Sequence, residues 1–128
     1  MSAGIYNFTI EQGTTVVKQF TYKDSSGDPV DLSGYSASMQ IRQTYTSSGY
    51  VSSFTGSAAA SGSEGLSIIT SGTGSTKGTV ELRINASTTS AYTFTSAVYD
   101  LEITKTSDGT VSRLLQGSIV LSPEVTKG

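Results

Sequence analysis

Apolar and polar residues alternate with a period of two in three stretches of the chain. The clearest stretch is 78–84, in which Val80 and Leu82 share one face while polar residues occupy the other. The stretches 36–43 and 98–104 repeat this pattern. A period of two is typical of β-strands, because successive side chains point to opposite faces of the sheet. We therefore predict three strands, each with one face in a core and the other in water.

Four further strands are predicted from less regular patterns, at residues 6–10, 16–22, 111–115 and 118–121. In 16–22, Lys18 interrupts the apolar face, which is typical of an edge strand whose lysine stem covers apolar surface while its ammonium reaches water. The residues that these patterns place in the core include Phe20, Met39, Ile41, Val80, Leu82, Ile84, Tyr99, Leu101 and Ile103.

Turn residues separate the predicted strands. Gly27 supplies the positive φ that a tight loop needs, and Asp108 followed by Gly109 is among the strongest hairpin signals. These turns predict antiparallel connections. The helical period of 3.6 appears in no segment of ten or more residues, and only 85–91 is expected to form a single helical turn, with Asn85 as its N-cap.

The middle of the chain, residues 44–77, consists mainly of Ser, Gly, Thr and Ala. Its few apolar residues suffice for two strands joined by a long flexible loop, and they are Tyr50, Val51, Phe54, Leu66, Ile68 and Ile69. Neither flank alone has enough strands to bury a core, so we predict one domain over 1–128, with flexible termini and a Ser/Gly-rich central loop region at about 55–77. The segments expected to be disordered in the isolated chain are 1–6, 57–65, 71–77 and 123–128.

The predicted fold is therefore all-β: an immunoglobulin-like antiparallel β-sandwich of about seven to nine short strands. A small barrel is the alternative. Composition supports the all-β prediction, because the 128 residues include 23 Ser and 19 Thr, whose small hydroxyls favour turns and strand surfaces over helix interiors. We expect less than roughly a tenth of the chain to be α-helical.

The chain has no Cys, no His and no Trp, and its net charge is −2. Without Cys or His it has no zinc cluster, no thiol nucleophile and no imidazole base, so we expect no enzymatic activity. Its five Lys and three Arg are scattered singly, which argues against a nucleic-acid partner. No apolar run approaches the roughly 20 residues of a membrane helix, and the first residues do not form a signal peptide. We expect a soluble protein, made in the cytoplasm.

One loop contains four oxygen-bearing residues that could bind Ca²⁺, namely Asp24, Ser26, Asp28 and Asp31. Their spacing does not match the Asp-x-Asp-x-Asp-Gly pattern of known calcium loops. Turns favour the same residue types for backbone reasons alone. We therefore predict a turn here, and no metal site.

Two other features contain residue types that are used in catalysis. Residues 72–78 have the glycines, hydroxyls and lysine of a phosphate-binding loop, but in a different order and before a strand rather than a helix. Asp100 and Glu102 lie on one strand face about 6–7 Å apart, a separation that glycosidases use, but no Trp accompanies them. We predict a flexible loop and a solvated strand face, and no motif singles out a Ser-Lys pair. No catalytic or cofactor-binding residue is predicted.

Asparagines can carry glycans, and exposed aromatic residues can bind them. Asn7 and Asn85 begin glycan-acceptor patterns, which carry little weight without a secretory signal. Most aromatic residues, such as Phe20, Tyr22 and Tyr99, fall on the predicted inward faces. We therefore expect them in the core rather than in a sugar-binding platform.

Motifs in both halves of the chain resemble a domain of tailed bacteriophages. In the first half they are Phe8-Thr9-Ile10-Glu11-Gln12-Gly13, the run from Lys23 to Tyr35 with Pro29-Val30-Asp31-Leu32-Ser33-Gly34-Tyr35, and Ser38-Met39-Gln40-Ile41-Arg42. In the second half they are 78–82, 99–103, 108–117 and 120–126. Together the motifs cover about residues 7–43 and 78–126. The chain is similar to the N-terminal immunoglobulin-like domain of phage upper baseplate proteins, and to short virion proteins of phages and prophages.

The resemblance implies a structural component of a phage particle, associated with the tail or baseplate, whose partners are other phage structural proteins and further copies of itself. It implies a location in the virion. From charge, composition and the lack of catalytic residues, we expect no nucleic acid, membrane or small-molecule substrate as partner. Baseplate relatives continue into a fibre or receptor-facing part whereas this chain stops at Gly128, so a host-binding role is not carried over. A capsid decoration or head-associated protein and a small carbohydrate-binding module stay open as alternatives.

Overall fold

The structure, a computed structural model, describes residues 4–23, 26–27, 30–56, 64–69 and 78–125. Of these residues, 57% lie in strands and 5% in a helix, which confirms the all-β prediction. The elements are β1 (Gly4–Ile5), β2 (Phe8–Glu11), β3 (Val16–Thr21), β4 (Tyr35–Arg42), β5 (Ser52–Gly56), β6 (Gly65–Ile69), β7 (Thr79–Ile84), α1 (Ala86–Ser90), β8 (Ser96–Lys105) and β9 (Val111–Ser122).

The strands form two sheets that pack as a β-sandwich. The larger sheet has the order β1-β9-β8-β4-β5, with β2 also paired to β9, and the smaller sheet has the order β3-β7-β6. β1 and β2 run parallel to β9, with Gly4 opposite Leu115 and Phe8 opposite Ile119, whereas the remaining pairs are antiparallel. The structure therefore has two separate sheets and not the closed barrel that was the alternative prediction.

The core lies between the two sheets, and the predicted inward faces form most of it. Eight of the nine residues predicted to be buried are at most 3% exposed, namely Met39, Ile41, Val80, Leu82, Ile84, Tyr99, Leu101 and Ile103. The prediction is wrong for Phe20, which is only half-buried. Its strand β3 is an edge strand, so one flank of the ring has no neighbouring strand to cover it.

The edge position predicted for residues 16–22 is confirmed, because β3 pairs only with β7 among the described strands. Its lysine does more than reach water. The Lys18 ammonium lies 5.9 Å from the centre of the Tyr6 ring and 5.5 Å from that of Phe8, both close enough for cation–π attraction. Lys18 therefore bridges the edges of the two sheets.

Residues 111–115 and 118–121 form one strand, β9, and not the two that were predicted. Gly117 lies in the predicted break between these two stretches, and it has a specific role in the fold. A Cβ at Gly117 would collide with the backbone oxygen of Tyr6, so glycine allows the N-terminal segment to approach β9 closely. The Tyr6 N–H donates to the Gln116 oxygen at 3.0 Å.

Parts of the segments predicted to be flexible make contacts in the structure. Residues 4–6 pair with β9, and Gly65 begins β6. Near the C-terminus, the Glu124 N–H donates to the Gln12 side chain at 2.9 Å. The rest of these segments, namely 1–3, 57–63, 71–77 and 126–128, lies outside the described residues.

The prediction that the outward face of 78–84 is exposed to water is wrong. Thr79 and Glu81 are 3% and 5% exposed, and Arg83 is half-buried. Side chains of β3 pack against this row: Gln19 donates to a Glu81 carboxylate oxygen at 3.0 Å, and the Thr21 and Thr79 hydroxyls are 3.1 Å apart. The polar side chains of the smaller sheet thus contact one another instead of being fully hydrated.

The predicted turns and central strands are largely confirmed. Gly109 has a φ of 76° in the hairpin between β8 and β9, and β5 and β6 are the two strands expected within 44–77. The predicted helical turn is α1, but the Asn85 side chain makes no capping hydrogen bond. Instead, the Glu64 carboxylate accepts the Asn85 N–H at 2.8 Å and the Thr88 hydroxyl at 2.6 Å. The described residues contain no helix long and apolar enough to cross a membrane.

Candidate interaction surfaces

The loop considered for Ca²⁺ is described only in part. Asp24 and Asp28 lie outside the described residues. The Asp31 carboxylate accepts the Ser33 N–H at 3.0 Å, which is the local hydrogen bond of an Asx turn. Within the described ranges, no group of three or more His, Cys, Asp or Glu could hold a metal ion. The geometry of Asp31 therefore fits the predicted turn.

The glycine-rich stretch 72–77 also lies outside the described residues. Gly78, with a φ of 76°, leads directly into β7, so a strand follows this stretch. Binding loops that cradle phosphate precede a helix, whose N-terminal N–H groups contribute to the site. The element after Gly78 offers no such N–H groups.

Asp100 and Glu102 lie on the outward face of the larger sheet, as predicted, and they share one partner. The Arg113 guanidinium contacts Asp100 at 3.5 Å and Glu102 at 3.9 Å. The two carboxylate side chains are 38% and 34% exposed, so this face is partly solvated. An ion-pair network at this exposure contributes little stability.

A polar groove of about 240 Å³ lies beside this ion-pair network, and sequence analysis did not identify it. Gln40, Asp100 and Gln116 are opposite one another on β4, β8 and β9, so they form one row across three strands. We call the groove lined by this row together with Arg42, Tyr45, Val98 and Arg113 the polar groove. Its detection needed the strand register, because the three row residues are 60 and 16 positions apart in the chain.

Arg42 holds the loop after β4 against the polar groove. Its guanidinium donates to the Ser47 and Gly49 backbone oxygens at 2.7 and 3.2 Å, and to the Gln40 side-chain oxygen at 2.8 Å. This fixes residues 43–49 beside the sheet, where the Tyr45 side chain is 76% exposed. An exposed aromatic ring therefore lies at one rim of the groove.

A second concave surface, which we call the open side, lies where the edge strands β1 and β3 face each other. It is a groove of about 540 Å³ lined by residues 4–6, 20–22 and 112–115. Ile5 is 74% exposed and Tyr6 is 37% exposed. β1 pairs only with Leu115 and Gln116, so residues 111–114 of β9 have no strand partner on this side within the described part of the chain.

Aromatic residues line the open side and pack beneath it. The Tyr6 ring lies 5.6 Å from both Phe8 and Phe20, and Phe8 lies 5.4 Å from Tyr99. The Tyr99 hydroxyl donates to the Tyr6 backbone oxygen at 2.6 Å. Burial, together with the nearby Tyr6 hydroxyl, raises the pKa of Tyr99 well above its ordinary value, so Tyr99 stays a neutral donor. The open side is thus preorganised and apolar at its base.

The aromatic residues follow the core prediction only in part. Tyr99 is buried, but Phe20 and Tyr22 are half-buried at the open side. The outward positions of β4, β8 and β9 contain no aromatic residue, so an aromatic row for sugar stacking is absent from this described face. Of the two glycan-acceptor asparagines, Asn7 accepts the Ser118 N–H at 2.9 Å through its side-chain oxygen.

Comparison with known proteins adds no identification to these two surfaces. No protein-family model matches the chain, and a search of curated proteins found no relative. The function is therefore inferred from the geometry of the polar groove and the open side, and from the resemblance of the motifs.

Proposed function

We propose that this chain is a non-enzymatic structural component of a tailed phage particle, an adaptor or assembly protein of the tail or baseplate. It acts through protein–protein contacts with neighbouring structural proteins and with further copies of itself, and it resides in the virion. The motifs that resemble the phage domain support this proposal, because they fall on the sandwich frame: β2, β4, β7, β8 and β9.

We also infer that the sandwich is of the immunoglobulin-like kind. In that fold, strands B, E and D form one sheet, and C′, C, F and G form the other. The observed orders β3-β7-β6 and β5-β4-β8-β9 follow the same succession. The placement of β1 and β2 beside β9, at the edge of the larger sheet, adds the N-terminal strand to this arrangement.

The most specific motif of the resemblance, the run that ends in Leu32-Ser33-Gly34-Tyr35, is a fold determinant. Leu32 is 1% exposed, and Gly34 has a φ of 80°. The Gly34 backbone oxygen accepts both the N–H and the hydroxyl of Thr106, at 3.0 and 2.7 Å. This run therefore attaches the connection between β3 and β4 to the end of β8, which explains how a shared motif would accompany a shared fold.

The observation that carries the assembly proposal is the open side. An edge with unpaired backbone groups can pair with a strand of another chain, and exposed apolar residues beside it can be buried at the same time. Ile5 and Tyr6 provide such apolar surface. Residues 111–114 of β9 and the edge of β3, which is unpaired among the described strands, provide the backbone. We infer that a neighbouring structural protein covers this side in the particle.

Quantitative mass spectrometry of purified particles, separated into heads and tails, tests the proposal. The expected result is a constant copy number in the tail fraction. Recovery in the head fraction would favour the capsid decoration alternative instead. Absence of the chain from particles of a phage that encodes it would contradict both.

A pair of variants tests whether the open side is the contact surface. Ile5→Asp places a charge on the open side, where it should reduce incorporation into particles at least about tenfold, since a charge desolvated at an interface is costly. Tyr50→Asp is the matched control, because Tyr50 is 58% exposed and does not line the open side. Equal incorporation of the two variants would exclude the open side as the docking surface.

A further inference from the structure

The polar groove contains donor groups that the fold does not use. Gln40 accepts from Arg42 through its side-chain oxygen, and Gln116 accepts from Arg113 through its oxygen at 3.2 Å. The amide nitrogens of both glutamines have no hydrogen-bond partner among the described residues. Each nitrogen has two N–H donors, and Asp100 between them is a carboxylate with acceptor sites beyond its one ion pair.

The arginines fix the orientation of these amides. Because the guanidinium groups of Arg42 and Arg113 bind the oxygen atom of each glutamine, the nitrogen atom is the part left available. The row therefore presents donor, acceptor and donor in sequence, on adjacent strands that lie about 4.8 Å apart. A ligand that matches the row needs hydroxyl groups at about this spacing, since a hydroxyl both donates and accepts.

The charge of the groove favours a neutral ligand. Arg42 and Arg113 contribute two positive charges, while Asp100 and Glu102 contribute two negative ones. Arg113 is paired with both carboxylates, and Arg42 is hydrogen-bonded to Gln40 and two backbone oxygens. Phosphate or another anion would meet no unpaired cation here, and a cation would meet no unpaired carboxylate.

The groove also has apolar surface next to the polar row. Val98 lies on the outward face of β8 beside Asp100 and lines the groove, and the exposed Tyr45 ring lies at its rim. An aromatic ring with a hydroxyl suits a ligand that has one apolar and one polar face. The volume of about 240 Å³ is below the roughly 300–1,000 Å³ of pockets for drug-sized ligands, so about one ring fits.

We propose that the polar groove binds a single neutral sugar ring of a saccharide. The C–H face of the ring packs on Val98 and Tyr45, and its hydroxyls bind the amide nitrogens of Gln40 and Gln116 and the Asp100 carboxylate. This inference does not depend on the proposed assembly function, because among the described residues that line the two surfaces, Arg113 alone lines both.

The test is a titration of the ¹⁵N-labelled chain followed by NMR. The probes are methyl α-D-glucopyranoside, methyl β-D-galactopyranoside and N-acetyl-D-glucosamine, each up to about 50 mM, since one ring on an open site is expected to bind with a Kd on the order of 1 mM. At least one probe should shift the backbone amides of Val98, Asp100 and Gln116 and the side-chain amides of the two glutamines.

Variants separate specific binding from a general solvent effect. Gln40→Ala and Tyr45→Ala should each weaken binding at least about fivefold, which corresponds to the loss of one hydrogen bond or one ring contact. Gln43→Ala is the matched control, because Gln43 is an exposed glutamine next to the same loop and does not line the groove. Its affinity for the probe should equal that of the unmodified chain.

Three results would overturn the proposal. The first is the absence of shifts with all three sugars. The second is equal affinity of Gln40→Ala and the unmodified chain. The third is binding of sodium phosphate at these amides more tightly than any sugar, which would identify an anion site instead. Dispersed NMR spectra of each variant establish that it is folded.

Discussion

The outward faces of the two sheets differ in their exposure to water. On β8, in the interior of the larger sheet, Asp100 and Glu102 are half-buried. On β7, in the middle of the smaller sheet, Glu81 is 5% exposed. Both strands alternate with a period of two, and both have neighbours on each side. The period therefore identifies the inward face, but the exposure of the other face depends on contacts from elsewhere in the chain.

This difference has an energetic consequence. On the larger sheet, polar groups that lack a protein partner can bind water. On the smaller sheet, one Glu81 carboxylate oxygen and the Arg83 Nε atom are buried without a hydrogen-bond partner among the described residues. A buried polar group without a partner costs about 1–3 kcal/mol. Polar substitutions should therefore affect stability more on the smaller sheet than on the larger one.

The largest losses of stability are expected for substitutions on the inward faces, and there the two sheets should show equal losses. Leu82 and Leu101 are both 0% exposed, one in each sheet. Leu82→Ala and Leu101→Ala should each lower the free energy of unfolding by about 2–5 kcal/mol, because each creates a cavity in the shared core. Urea unfolding measures the change. The control is Val120→Ala at a half-exposed position, which should lower the free energy of unfolding by under about 0.5 kcal/mol. A loss below about 1 kcal/mol at Leu82 would mean that the inward face of β7 is assigned incorrectly.

The second prediction compares one change on the two outward faces. Gln19→Ala removes the only hydrogen bond to the Glu81 carboxylate among the described residues, and the carboxylate stays buried. The substitution should therefore lower the free energy of unfolding by about 1–2 kcal/mol. Gln40→Ala also removes an amide, but its partner Arg42 has other acceptors, so the cost should be under about 0.5 kcal/mol. Equal costs would show that water reaches Glu81 as readily as the outward face of the larger sheet.

Local patterns predicted the elements well where one strand contains the whole signal. The alternation in 98–104 and the Asp108-Gly109 hairpin are local, and both are confirmed by β8 and its connection to β9. Gly117 shows the limit, because the prediction left it between two strands, whereas it lies inside β9 and allows the approach of Tyr6, 111 positions earlier in the chain. The burial of Glu81 is also a tertiary effect, which the alternation of its own strand does not encode.

The candidate sites were less predictable than the fold for the same reason. The sequence places Asp100 and Glu102 as a pair within one strand, but their contacts with Arg113 depend on strand pairing. The polar groove requires the register of β4, β8 and β9 and the loop that holds Tyr45. A sequence shows which residues could bind a sugar or a charge, whereas the register determines which of them are neighbours.

The third prediction concerns a polar contact on an inward face. The Tyr99 hydroxyl holds Tyr6 on the larger sheet, whereas the inward residues Val80, Leu82 and Ile84 of β7 are apolar. Tyr99→Phe should cost about 1 kcal/mol near pH 7, because the Tyr6 oxygen loses its donor. Double-mutant analysis with Ile5→Ala, an exposed neighbour in β1, measures whether the hydroxyl acts through the N-terminal segment.

The pH dependence of the same contact follows from the raised pKa of Tyr99. A pKa raised in the folded state favours the neutral phenol. The Tyr99 hydroxyl therefore contributes its full stabilisation of the fold below the unfolded pKa of about 10, and this stabilisation decreases as the pH rises above that value. Tyr99→Phe should therefore reduce the loss of stability on the alkaline side. Some loss should persist, because burial also raises the pKa of Tyr92. An unchanged alkaline profile would contradict the role assigned to the Tyr99 hydroxyl.

The smallest effect is expected for the ion pairs of the larger sheet. Arg113→Met removes contacts at 3.5 and 3.9 Å from side chains that are one third or more exposed, and such pairs are worth about 0–1 kcal/mol. We expect a loss under about 0.5 kcal/mol at low salt, and a smaller loss at about 1 M NaCl, where the Debye length is about 3 Å. Ser53→Ala, an exposed change on β5, is the control. A loss above about 1 kcal/mol that persists in salt would mean that Arg113 is effectively desolvated, and the contrast between the two outward faces would then be smaller than their exposures indicate.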